Sequence, residues 1–380
     1  MAMVNALCTN CDKTVEVDNQ KDAWVCPYCS TPFVVIKAIN RYKAQHKEVA
    51  RKVKAVKKQS TDFEVENGVL VSYKGSSEDV TIPGEVRKIG DHVFANNTTL
   101  KNITIHDKVE MIGSYAFRGC TALEEIRFPD SITTIDIWAF RGCTSLKSVI
   151  LPPHIRAISD CLFADCSSLE SIELPEPIGS IGPFAFSGCK NLKDIIIPKY
   201  VSQIGKYAFS GCENLVKIDI PEGVSLIEEC TFANCSQLTE ITLPKTLKSI
   251  GASAFQNCAA IHNIELPNGI LSVDGFSGCT GLRAFNVPAG ASSVGDFSGC
   301  TNLEKISIPS SVKKINGGFT NCPKLLSVSW TYLAENASNF PAYYETVITS
   351  RKTAGKCVYC GGDFKLLSKV CKKCGKKKDY

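Results

Sequence analysis

The sequence predicts a β-rich solenoid: a right-handed coil of about eleven repeats, each of roughly 21–23 residues, with a parallel sheet along one face and two small metal-binding modules at the chain ends. Three observations predict it. A cysteine recurs in phase ten times: Cys120, Cys143, Cys166, Cys189, Cys212, Cys235 and Cys258 step evenly by 23, and Cys279, Cys300 and Cys322 follow at 21, 21 and 22. A phenylalanine stands three residues before each, and Phe94 before Asn97 adds an eleventh row. Two Cys-x2-Cys pairs lie at each end of the chain.

The N-terminal element, residues 1–36, carries Cys8-x2-Cys11 and Cys26-x2-Cys29. Two such pairs supply four thiolates to one tetrahedral metal, and zinc is the ion that this ligand set suits. A thioredoxin-like redox pair is the rival reading, but it needs a βαβ setting for which the segment has no room. Residues 37–60 form a basic helical linker, since Ile39, Tyr42, His46, Val49, Val53 and Val56 recur at steps of three and four. Nine Lys/Arg lie within residues 37–58.

Residues 61–334 are the repeat region. Counted from each cysteine, apolar residues fall at +3, +6 and +8, as in Leu146, Val149 and Leu151, and again at +12 and +15, as in Ile155 and Ile158. A period in the low twenties with L-x-x-L-x-L spacing marks a leucine-rich-repeat solenoid, in which no coil buries its apolar face alone. Residues +6 and +8 face inward from a short strand and +5 and +7 face outward. Proline at +9 ends the strand because it has no N–H for the ladder. The run through +12 and +15 returns along the other side, and the Ala-Phe stretch before the cysteine makes a helical turn.

The cysteines then form a file, about one strand spacing of 4.8 Å apart. Disulfides reach such Cα separations, but parallel side chains in a stack point the wrong way, so the file reads as packing in a corner where carbonyls need a weak donor. Cys161 and Cys230, off the file, are read the same way. Residues 335–353 are a capping segment and linker, with Tyr332, Phe340, Tyr343 and Tyr344 covering the last coil. Residues 354–380 hold Cys357-x2-Cys360 and Cys371-x2-Cys374, a second four-thiolate set.

Two resemblances sharpen this reading. The pattern "AFxxCxxLxxLxLPxxVxxIG", with the lead-in "NGVLVSYKGSSEDVTIPGEVRKIGDHVF", resembles the BspA-type leucine-rich repeats of bacteria over residues 61–330. That resemblance implies a solenoid that binds proteins, commonly at a cell surface. Position +11 is Ser131, His154 or Gly223 where a ladder Asn would stand, so horseshoe curvature is not implied. The ends "CPYCSTPF" and "CVYCGGDF" with "CKKCGKKKDY" look like zinc ribbons, implying two structural Zn2+ ions.

Charge and composition narrow the function. The net charge of +5 is uneven: residues 37–58 carry +8, residues 351–380 carry +8 and the first 36 carry −2, which leaves −9 for the middle. No apolar run precedes a cleavage site and no stretch of about 18 apolar residues occurs, so a cytoplasmic chain without membrane contact is expected. His46, His92, His106, His154 and His262 fall in unrelated phases, and no nucleophile or phosphate-loop motif accompanies them. The expected role is a non-enzymatic protein–protein interaction scaffold without a small-molecule substrate. Its candidate partner-binding residues face outward at +5 or +7: Glu125, Ile150, Glu173, Asp194, Ile196, Asp219, Glu240 and Glu265. The alternative is RNA or DNA held by the basic ribbon ends.

Overall fold

The structure, a computed structural model, describes residues 3–34 apart from 9, 12, 19, 21 and 22, residue 38, residues 62–329 apart from 326, and residues 349, 351–358, 363, 364, 370–372, 375 and 377. The expected linker helix, the capping aromatics Tyr332, Phe340, Tyr343 and Tyr344, and the ligands Cys360 and Cys374 lie outside these residues. The chain divides into two compact units, Met1–Phe63 and Glu64–Tyr380.

In the first unit, β1 (Met3–Leu7) pairs antiparallel with β2 (Thr14–Asp18), and β3 (Ala23–Val25) with β4 (Pro32–Val34). Alternation along β1 and β2 turns Ala6, Val15 and Val17 inward, where they join Phe33, Ala38, Cys8 and Cys26 in one small core. So few apolar residues bury little area, and domains of this size ordinarily need a metal or disulfides to fold alone.

The second unit is a parallel β-solenoid of about eleven coils. It opens with β5 (Phe63–Glu66) and β6 (Val69–Tyr73), joined by Asn67 and Gly68 at φ +49° and +78°, the residue types that a two-residue hairpin turn demands. Three-residue strands follow one per coil, Asp79–Thr81, Asn102–Thr104, Glu125–Arg127, Ser148–Ile150 and Ser171–Glu173, all parallel and in phase with the repeat. Their middle residues, from Val80 to Ile172, are buried and the flanking ones exposed. After Glu173 the ladder lapses at Asp194–Ile196. It resumes at Lys217–Asp219 and Glu240–Thr242, lapses at Asn263–Glu265, and closes with Ala284–Asn286, Lys305–Ser307 and Ser327–Ser329.

The return run is more ordered than the sequence implied. Residues +14 and +15 form a second parallel ladder of two-residue strands, from Lys88–Ile89 through Ser180–Ile181 to Lys314–Ile315, interrupted after Thr134–Ile135 and Gln203–Ile204. Between the ladders the eleven phenylalanines stack ring on ring, with centroids 5.1–5.9 Å apart from Phe94 to Phe319. Each is at most 3% exposed. At about 2 kcal/mol per buried ring, this file is a principal source of the coil-to-coil cohesion.

The helical turn expected before the cysteine is absent. A train of turns stands there, with bonds such as Arg118 N–H to the Tyr115 carbonyl and Cys120 N–H to the Phe117 carbonyl, while Tyr115 and Phe117 donate to the next coil. Left-handed residues cause this. Position −1 has positive φ in all eleven coils and is always Gly, Asn or Asp, from Asn96 to Asn321; position −5 is left-handed from His92 to Ser253, at φ +53° to +62°. Each flips a peptide, so alternate N–H groups point along the solenoid axis instead of up a helix.

Where the step shortens from 23 to 21, two residues are lost between Val273 and Phe276. The Asp274 carboxylate accepts the Gly275 and Asp296 N–H groups there, and burial raises its pKa. At Gly211, φ +75° and a virtual Cβ 3.6 Å from Gly188 leave space but impose the left-handed cost. Gly211→Asn is therefore expected to retain stability to within about 0.5 kcal/mol, and Gly211→Val to lose about 1–3 kcal/mol. Denaturant unfolding of the two variants checks this, and equal losses would refute it.

Candidate functional site

Two hairpin turns bring the N-terminal cysteines together. Cys8 closes β1, and its N–H donates to the Lys13 carbonyl at 3.0 Å; Cys26 follows β3, and its N–H donates to the Thr31 carbonyl at 3.0 Å. The two knuckles are thus built alike. The Sγ atoms of Cys8, Cys11, Cys26 and Cys29 all lie within 4.8 Å of one another, with Cys8–Cys29 and Cys11–Cys26 at 3.7 Å. A tetrahedron with Zn–S bonds of about 2.3 Å has edges of about 3.8 Å, so the donor set fits such an ion.

The knuckles also supply donors to sulfur. The Asn10 N–H reaches the Cys8 Sγ at 3.4 Å, and the Thr31 hydroxyl and backbone, in that order, lower the Cys29 thiol to about 6. Cys11 is lowered by the Lys13 backbone but raised more by desolvation and the three neighbouring thiols, to about 12. Four thiols this close cannot all ionise without a cation among them.

Of the C-terminal set, Cys357 and Cys371 are described and buried. The Gly375 N–H donates to the Cys371 carbonyl at 3.0 Å with φ +75°, as the Ser30 N–H donates to the Cys26 carbonyl at 2.9 Å with φ +55°. Half of the second set therefore repeats the backbone turn of the first.

The cysteine file has another chemistry. All ten thiols donate to the carbonyl of the phenylalanine one coil back, Cys120 to Phe94 at 3.1 Å through Cys322 to Phe297 at 3.1 Å. Burial pushes Cys120 and Cys166 up to about 12, and Cys189 well above its ordinary range. These are packed donors, not nucleophiles or ligands. The described histidines stay apart: His92 stacks on Tyr115 at 4.6 Å, whereas His106 Nε2 meets the Pro83 carbonyl at 2.8 Å.

All eight candidate partner-binding residues are exposed: Glu125, Ile150, Glu173, Asp219 and Glu240 on strands, and Asp194, Ile196 and Glu265 at the equivalent positions of coils where the ladder lapses. Glu125, Ile150 and Glu173 lie along one groove of about 800 Å³, with Arg127, Phe128 and Pro152 in its walls. Asp194 and Ile196 sit where the ladder lapses, yet Ile195 and Ile197 remain buried and hold the phase.

A sequence model of the BspA type leucine-rich repeat region matches residues 71–181, 156–275 and 269–352. The chain belongs to the BspA-type leucine-rich-repeat family. Such repeats are generally protein-interaction scaffolds. A leucine rich cell surface protein of Faecalibacterium prausnitzii A2-165 is 29% identical over 74% of this chain and 95% of its own, with a TM-score of 0.50. Leucine-rich-repeat proteins of T. pallidum and Bacteroides ovatus ATCC 8483 are similar at 24% and 22% identity, covering 59% and 86% of this chain and 89% and 92% of theirs, with TM-scores of 0.38 and 0.37. No curated protein matches the chain.

Two further columns of this BspA-type solenoid carry contacts between coils. Position −5 carries stacked aromatics, His92–Tyr115–Trp138 and Phe184–Tyr207, with Arg118 and Arg141 over two of the rings and the off-file Cys161 and Cys230 in the same row. Position +4 alternates in sign, Glu78, Lys101, Glu124, Lys147, Glu170 and Lys193, paired as Lys101–Glu78, Lys147–Glu124 and Lys193–Glu170 at 2.9–3.3 Å. Aligning the repeats column by column is the signal that exposes both.

The ten file thiols are expected to stay unlabelled by alkylating reagents in the native protein. Cys189→Ala, which removes the thiol's bond to the Phe163 carbonyl but leaves that of the Cys166 N–H, and which opens a small void, should lose about 1–3 kcal/mol. Mass spectrometry after a labelling pulse and urea unfolding check both, and rapid labelling of Cys189 would refute the packing role.

Proposed function

We propose that this chain is a non-enzymatic protein-interaction scaffold whose solenoid sheet face docks a partner protein, with one structural zinc ion held at each end. One observation carries the docking face. Ile196 and Ile150, the two most exposed large apolar side chains among the described residues at 87% and 65%, occupy the same outward row of that face. Apolar side chains held out from a rigid sheet, rimmed by charge, are what a protein interface places at its centre. Glu125, Glu173, Asp194, Asp219, Glu240 and Glu265 supply the rim.

The metal reading rests on the donor set. Cys8, Cys11, Cys26 and Cys29 would fill all four positions of a tetrahedral zinc, as would Cys357, Cys360, Cys371 and Cys374, leaving none for substrate or water. A structural role follows, because the apolar core of the first unit is too small to hold it alone. The proposed domains are a ribbon at 1–36, a basic linker at 37–60, the solenoid at 61–334, a cap and linker at 335–353 and a ribbon at 354–380. The solenoid cysteines from Cys120 to Cys322 are free thiols, which fits the proposed reducing, cytoplasmic location. Among the described residues no helix is long and apolar enough to cross a membrane.

Elemental analysis of protein purified without added metal should find two zinc ions per chain. Cys8→Ser and Cys371→Ser should each lose one while the solenoid's circular dichroism persists, and loss of both ions in either variant would refute two independent sites. For the docking face, capture from cytosolic extract with the intact chain should survive nuclease and weaken about tenfold when Glu173, Asp194 and Asp219 are all changed to lysine. Capture that needs nucleic acid, falls steeply with salt and is lost when Lys372, Lys373, Lys376 and Lys377 are neutralised would move the function to the basic end.

A further inference from the structure

We infer that the partner element received by the sheet face is an amphipathic α-helix lying along the solenoid axis, with apolar residues at i and i+7 and lysine or arginine at i+4 and i+11. The inference rests on the docking reading above and names what docks.

The outward +7 row reads Ile150, Glu173, Ile196 and Asp219 on successive coils, apolar and acidic by turns. Ile150 is in register with Glu173 in the ladder, and the buried Ile195 and Ile218 keep the next two coils in phase. Successive coils lie about 4.8 Å apart, so Ile150 and Ile196 are separated by about 9.6 Å. A helix presents one face every three to four residues, a rise of about 4.5–6 Å, and spans about 10.5 Å from i to i+7. The two periods agree closely enough to hold four successive contacts. An extended segment repeats its face at every second residue, roughly 6.7 Å, and meets one isoleucine but not the other.

Charge fixes the polar positions. On the adjoining +4 row each lysine is already matched to a glutamate one coil away. On the sheet face Glu173, Asp194, Glu240 and Glu265 have no ion-pair partner among the described residues, while Asp219 meets Lys217 only in an exposed pair. The unneutralised charge of the face is negative, in a middle region of net −9. Basic residues interleaved with apolar ones complement that row.

The test titrates the full chain with two capped synthetic peptides of identical length and composition, each of about five helical turns. One is alanine-based with leucine at i and i+7 and lysine at i+4 and i+11; the other alternates the same leucines and lysines at a spacing of two. The helical peptide should bind, gain helicity on binding and weaken as salt rises. Ile196→Asp should weaken it at least tenfold and Glu173→Lys severalfold, with the fold of each variant checked by circular dichroism. Failure of the helical peptide to bind, or binding indifferent to Ile196→Asp, overturns the inference. Preference for the alternating peptide, abolished by Ile196→Asp, overturns the helix but keeps the docking face. Indifference of the captured cytosolic partner to Ile196→Asp overturns the docking face itself.

Discussion

Every residue of the solenoid sits about 4.8 Å from its own equivalents on the neighbouring coils, and that like-on-like contact governs what each position can hold. A buried row must consist of groups that accept their own kind. Phenylalanine does so by parallel stacking, and the eleven rings run without interruption from Phe94 to Phe319. Cysteine does so because its thiol turns to a carbonyl of the coil behind, which makes each thiol independent of the next. A buried row of charged groups would repel itself, and burial raises the pKa of these thiols, which keeps them neutral.

The same constraint shapes the surface. A charged row is tolerable when its sign alternates, as at +4 from Glu78 to Lys193, or when apolar residues separate the charges, as Ile150 and Ile196 separate Glu173 from Arg127 and Asp219 on the row at +7. The first arrangement neutralises itself and offers little to a partner. The second leaves carboxylates and apolar side chains unmatched at regular intervals, a pattern that only another molecule of matching period can complete.

The ends follow another logic. The N-terminal segment buries only a small core, and two knuckle turns bring its four thiols together beside it. The Ser30 and Gly375 turns obey one local rule, an N–H returned to the first cysteine's carbonyl from a left-handed residue.

The sequence by itself determined the period, the phase of the buried rows, the proline that follows most front strands and the grouping of the four N-terminal cysteines, because each is a matter of spacing along one chain. The left-handed residue at −1 is equally legible, since only Gly, Asn and Asp occur there, although it flips a peptide where the Ala-Phe stretch predicts a helical turn. Tertiary structure alone decided the rest. The left-handed conformation at −5 falls on tyrosine, tryptophan, phenylalanine and cysteine alike, residues with no local preference for it, and is imposed by bonds to the next coil. The second ladder and the lapses at Asp194–Ile196 and Asn263–Glu265 depend on hydrogen bonds between coils. Which carboxylates are neutralised depends on neighbours a full coil away along the chain, so the character of the candidate docking face emerged only once the coils were stacked.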